Sequence, residues 1–148
     1  MTISSRATIL EDLKATLESI TTGNGFQCTV AKVLRGIHTE DEFSGKMPGL
    51  CFWNERGPRR NMAAMKSERT LVIHIWGYVK ADGISGDYEA LDKLVADVEK
   101  ALMTPAYNSY WEFTEVNEST YYEGGAADPI GIFEMIVEIS YNYDFASP

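Results

Sequence analysis

Between Arg69 and Lys80 apolar side chains occupy both faces of an extended segment, Leu71, Ile73, Ile75 and Val79 alternating with Val72, His74, Trp76 and Tyr78. Successive residues of a strand point to opposite sides, and β-branched and aromatic residues favour that conformation, so the segment predicts a strand covered on both faces. Helices can cover one side. The aromatic side, Val72 to Tyr78, needs another layer or another subunit, because a large apolar patch is unusual on a free surface.

The rest of the chain supplies the helices. Leu10, Leu13, Leu17 and Ile20 recur at three- and four-residue spacing, with Ser4 or Ser5 to cap the start and Gly23 and Gly25 behind the last apolar position, which predicts an amphipathic first helix. Tyr88, Leu91, Leu94, Val95, Val98 and Leu102 predict a second one, capped by Ser85 or Asp87 and ending before Pro105. Phe26, Cys28 and Val30 alternate with polar residues and predict a strand running to about Arg35, and Leu50 to Trp53 predicts a short apolar strand. Two loops separate the strands: Ile37 to Pro48, read as exposed, and Asn54 to Ser67. Trp111, Phe113 and Val116 suggest a further strand, Glu123-Gly124-Gly125 a loop, and Ile132 to Tyr143 a long final strand in which Phe133, Met135, Val137, Ile139 and Tyr141 oppose Ile132, Glu134, Ile136 and Glu138.

The expected fold class is therefore α+β: one domain over residues 1–148, with a mixed or mostly antiparallel sheet of about five strands packed against two helices, in the order helix, three strands, helix, two strands. A β-sandwich with two helices is the alternative architecture.

Charge is distributed unevenly along this chain. All 13 Lys and Arg lie within the first 100 residues, and the remainder carries eight acids: Glu112, Glu115, Glu118, Glu123, Asp128, Glu134, Glu138 and Asp144. That stretch is too apolar for a disordered acidic tail, so it is expected to fold and to present a surface unlike the rest. Subunits with unlike faces associate head to tail, in rings or filaments. A net charge of −9 disfavours non-specific binding to nucleic acid and to acidic lipid. No apolar run approaches the roughly 20 residues of a bilayer span, no leader opens the chain, and Cys28 and Cys51 read as small core residues in a reducing compartment, so a soluble protein is expected.

Signatures of catalysis are missing. Gly83-Ile84-Ser85-Gly86 is not a nucleophile elbow, neither cysteine has a histidine near it in sequence, and His38 and His74 lack neighbours at metal-ligand spacing. Glu134 and Glu138 share a strand face but lie roughly 13 Å apart, beyond the reach of a paired acid and base. No cofactor, metal or enzymatic activity is expected, and His74 is expected to be a satisfied, half-buried strand residue. The basic patch is Arg56, Arg59, Arg60, Lys66 and Arg69, with Met62 and Met65 among them and Glu68 opposed. It reads either as a solvated turn or as a docking loop whose arginines meet carboxylates while the methionines fill gaps. Its partner could be the acidic block of a neighbouring copy, another acidic protein or, less favoured by the net charge, DNA.

In layout the chain resembles the tail terminator, or tail completion, family of tailed bacteriophages, the minor tail protein U group. The resemblance runs from about Leu10 to Tyr143: the opening helix, the Val30 to Arg35 strand, Pro48-Gly49-Leu50-Cys51-Phe52-Trp53, the Thr70 to Val79 strand ending in Tyr78-Val79-Lys80, the Tyr88 to Leu102 helix and the closing strand. It implies a structural virion protein, a homo-oligomeric ring commonly of six, at the head-proximal end of the tail after assembly in the host cytoplasm. Such a ring caps the tail tube protein, stops its polymerisation and offers a surface to a head-proximal connector or neck protein, with DNA only in passage through the channel and no membrane. Ring contacts are expected at Val72, His74, Trp76 and Tyr78 and at Glu134, Ile136 and Glu138. Arg56, Arg59, Arg60, Met62, Met65 and Lys66 are expected to meet the tube or an adjacent copy. The rivals are another head-to-tail connector or neck protein and, from a different class, a carbohydrate- or small-ligand-binding module using aromatics such as Tyr110, Trp111, Tyr121 and Tyr122.

Overall fold

The two-faced segment is the middle of the sheet. In the computed structural model, which describes residues 6–55, 59–63, 66–80, 89–103, 112–123 and 130–144, Lys66–Lys80 forms a strand of 15 residues (β4) paired along both edges. Side chains are described over 6–55, 71–80, 89–103 and 130–141. The remaining elements are α1 (Arg6–Glu18), β1 (Lys32–Arg35), β2 (Gly49–Glu55), β3 (Arg59–Ala63), α2 (Glu89–Met103), β5 (Glu112–Glu123) and β6 (Ile130–Asp144). The strand path is β1-β2-β4-β6-β5, with β3 also paired to β4; among the described residues only the β1–β2 pair is parallel. The result is an α+β domain whose mixed, mostly antiparallel sheet packs against two helices.

Register explains the core. On β4 and β6 the pairs Ile75↔Met135, Ile73↔Val137 and Leu71↔Ile139 bring six side chains of 0–1% exposure into cross-strand contact. Ile9, Leu13 and Leu17 of α1 and Leu91, Leu94 and Val98 of α2 close over the same face, all at 0%. Each such side chain contributes about 1.5–3 kcal/mol by leaving water. Gly77 pairs directly with Phe133, and a Cβ there would lie 2.0 Å from the ring's Cε1, so the glycine provides the space into which the ring folds.

Four sequence expectations need correction. The first strand does not begin at Phe26: only Lys32–Arg35 is strand, because Asp97 of α2, 2% exposed, takes the backbone N–H of Gln27 (3.1 Å) and of Cys28 (2.8 Å) that a ladder would otherwise use. The Ile37 to Pro48 loop is not merely exposed: a 3₁₀ turn, Glu40–Phe43, drives Phe43 to 0% exposure. Asn54 to Ser67 is not one loop, since β2 extends to Glu55 and β3 pairs Arg59↔Arg69, Arg60↔Glu68 and Asn61↔Ser67. The long central strand offers a template there, and pairing satisfies backbone groups whatever the side-chain pattern. Among the described residues the order is thus helix, four strands, helix, two strands. Finally, Glu123 ends β5 instead of opening a loop, and β5 carries a register shift between Glu115 and Asn117. The proposed caps Ser4, Ser5, Ser85 and Asp87, and Tyr110 and Trp111, lie outside the described residues.

Candidate functional site

The helices cover one face of the sheet; the other is divided. At one end Phe43 stacks on Tyr78 (centroids 5.1 Å apart, 26° between planes) and, with Cys51 and Ile132, forms a small second core. Gly49 allows this approach, because a Cβ there would sit 2.1 Å from Phe43 Cδ1. The Tyr78 hydroxyl donates to the His38 carbonyl at 2.7 Å, and the His38 ring bridges the Glu42 carboxylate and the Arg35 carbonyl, fastening the loop over that end. Tyr78, expected on the contact surface, is therefore 3% exposed and covered from within the chain.

Toward the other end, among the described residues, the covering stops. Trp53, Val72, His74, Trp76, Glu134, Ile136 and Glu138 are all half-buried, and Glu55 is exposed. Register sets them in three rows across β2, β4 and β6: Cys51, Trp76 and Glu134; Trp53, His74 and Ile136; Glu55, Val72 and Glu138. The Trp76 indole N–H donates to Glu134 Oε2 at 2.5 Å. Trp53 stacks on His74 (5.1 Å, 5°) and meets Trp76 edge-on (4.7 Å, 90°). Such aromatic pairs contribute about 0.5–1.5 kcal/mol each and hold the rings in place.

His74 lies between two carboxylates. Its Nε2 is hydrogen-bonded to Glu55 Oε1, while Nδ1 is 3.5 Å from Glu134 Oε2, near enough for ionic attraction but buried and without a hydrogen bond. The histidine is thus half-buried, as its strand position suggests, and half-satisfied. Glu55 and Glu138 flank Val72 in one row, two strand spacings or roughly 10 Å apart. Among the described residues, neither these two glutamates nor Glu134 forms an ion pair with Lys or Arg. This end is therefore an acidic surface with an aromatic floor.

Sequence reasoning placed Trp53 in a strand without naming it as a contact residue and missed Glu55, although Cys51, Trp53 and Glu55 alternate with Leu50, Phe52 and Asn54; reading the strand two residues further would have put Glu55 on this face. Arg59, Arg60 and Met62, expected in a loop, lie in β3, and Lys66 lies in β4, where Arg69 was already expected in the strand. Arg56 and Met65 lie outside the described residues. Glu134, Ile136 and Glu138 are where alternation puts them.

Chemistry elsewhere is sparse. Cys28 and Cys51 are free thiols. Burial first, then the hydrogen bond to Asp97 (Sγ to Oδ2, 2.9 Å) and that carboxylate's charge, push the Cys28 thiol up to about 12, so it stays protonated. Burial likewise raises Cys51. Among the described residues no cluster of three or more His, Cys, Asp or Glu could hold a metal ion, and no helix is long and apolar enough to cross a membrane. An open cavity of about 390 Å³ at the loop-covered end is lined by Glu40, Asp41, Ser44, Met47, Lys80 and Ile130. It contains neither a histidine nor a thiol. No protein-family model matches the chain, and no curated protein matches it.

Proposed function

We propose that this chain is a structural, non-enzymatic subunit of a phage tail, a terminator whose copies close into a ring on the last ring of the tail tube, stop its growth and present a surface to the head-proximal connector. The carrying observation is the half-covered sheet face: a strand apolar on both sides, sealed by helices on one and by Phe43 on only part of the other, with Trp53, Val72, Trp76 and Ile136 left beside three carboxylates. Rigid, partly desolvated aromatics rimmed by charge are the usual make-up of a protein contact. The layout shared with tail terminators supplies the particular assembly, a ring of six at the head-proximal end of the tail.

Two measurements test it. Native mass spectrometry should give a closed oligomer, and addition to polymerising tail-tube protein should arrest tube length. A ring that leaves tube length unchanged points to a connector or neck protein instead. A monomer that binds glycan and loses it on Trp111→Ala would favour the ligand-binding reading.

A further inference from the structure

We propose that His38 is a proton-operated latch on the strap formed by residues 37–48, holding it to the sheet as imidazolium and releasing one of two contacts on losing a proton. This goes beyond the ring reading and is independent of it, since every group involved belongs to one copy.

Both ring nitrogens of His38 face acceptors. Nδ1 meets the Glu42 carboxylate, and Nε2 lies 2.7 Å from the Arg35 carbonyl oxygen. A carboxylate and a peptide carbonyl can only accept, and neutral imidazole carries a single N–H, so a neutral ring satisfies one partner and turns a bare nitrogen toward the other. Imidazolium satisfies both. An imidazole ordinarily changes charge between about pH 5 and 8. Because the second contact belongs to the protonated form, it is present at the acidic end of that range and is lost as pH rises.

The two partners stand on different elements. Arg35 ends β1, whereas Glu42 lies in the 3₁₀ turn that inserts Phe43, so the ring ties the strap to the edge of the sheet. Lys32 of β1 reaches the Glu42 backbone carbonyl at 3.3 Å and not its carboxylate. Tyr78 of β4 and Cys51 of β2 donate to the His38 carbonyl at 2.7 and 3.8 Å, and the turn itself adds Glu40 and Asp41. Among the described residues no Lys or Arg side chain pairs with Glu42, which leaves His38 as its cation. Loosening the strap would uncover Phe43 and open the cavity between Glu40, Asp41, Ser44 and Met47 on the strap and Lys80 and Ile130 on the sheet. His74 also lies between two carboxylates, but β2, β4 and β6 are already joined there by their ladders, so its titration frees no segment.

The test is amide hydrogen exchange on the full chain, corrected for the intrinsic effect of pH, because exchange reads local opening. The strap amides of Ser44 and Lys46, bonded to the Asp41 and Phe43 carbonyls, should lose about 5-fold in protection between about pH 5.5 and 7.5. The Val30 amide, bonded to the Ile20 carbonyl outside the strap, should hold its protection. In His38→Gln the strap amides should be less protected and insensitive to pH. Glu42→Gln should also abolish the response, because a carboxamide accepts from an N–H or donates to a bare nitrogen and so satisfies either state of the ring. His74→Gln should keep the full response. Equal wild-type protection at both pH values, or a loss that survives His38→Gln, would overturn the latch. A response that disappears only in His74→Gln would do the same, by assigning the proton to the other histidine.

Discussion

Replacing Gly77 by alanine should be among the most damaging small substitutions in the chain, and the geometry says why. The new Cβ would lie 2.0 Å from Phe133 Cε1, 2.7 Å from Cδ1 and 2.8 Å from Cζ, so to reach ordinary contact at 3.4 Å the ring edge must withdraw by roughly 1.4 Å. Phe133 is 0% exposed in the core beneath α2, and interiors packed like crystals offer no such space. Overpacking of this kind costs about 1–3 kcal/mol, and the size of the displacement argues for the upper end. At about 3 °C per kcal/mol for a chain of this size, the midpoint should fall by roughly 9 °C. Urea denaturation of Gly77→Ala, Phe133→Leu and the double variant completes a cycle. Because the shorter side chain vacates the clash, the double variant should be more stable than the sum of the single losses by about 1–2 kcal/mol. A Gly77→Ala loss under about 0.5 kcal/mol, or strict additivity, would refute the idea that this glycine exists to admit the ring.

Three other outcomes follow from the packing around the core. Phe43→Ala removes a fully buried ring and its stack on Tyr78 and should cost about 3–5 kcal/mol, while raising protease cleavage within residues 36–47; a loss near zero would mean the loop is not anchored by that ring. Asp97→Ala strands the N–H groups of Gln27 and Cys28 and should cost about 2–4 kcal/mol by chemical denaturation, whereas Lys93→Ala, which breaks an exposed pair with Glu89, should change stability by less than about 0.5 kcal/mol. The Cys28 thiol, held up to about 12 in the fold, should resist iodoacetamide at pH 8–9 and react faster in Asp97→Asn. Because its folded value is raised above the ordinary 9.0, its contribution to stability is present below pH 9 and declines as pH rises toward 12; fast alkylation of the native protein at pH 8 would contradict the Asp97 contact.

Much of the candidate site was legible before any coordinates. Alternation through Val72, His74, Trp76 and through Glu134, Ile136, Glu138 assigns these residues to one face of each strand, since side-chain direction in a strand follows from the backbone itself. That β4 and β6 would lie side by side was not legible, nor that Glu55 would join Glu138 across Val72. Pairing register is a contest among all strands for the same edges, and it depends on residues as far apart as Glu55 and Glu138, which both flank Val72. Phe43 escaped for a different reason: it stands alone among Glu40, Asp41, Glu42 and Ser44, with no periodic partner to mark it as buried. The basic segment was read as a loop because its polar residues show no alternation, yet an adjoining long strand can recruit such a segment through backbone hydrogen bonds alone.

The sequence by itself determined the strand segments around Leu71–Val79 and Phe133–Tyr141, the two amphipathic helices and the separation of basic from acidic stretches, because all of these depend on neighbours along the chain. Only the tertiary structure decided which half of the second sheet face is sealed and which half is left acidic and aromatic. Phe43, Gly49 and Tyr78 meet across three segments, and the Glu55, Val72, Glu138 row spans three strands. Such groupings arise from packing between segments distant in sequence, where burial of a ring or alignment of a ladder outweighs local preference.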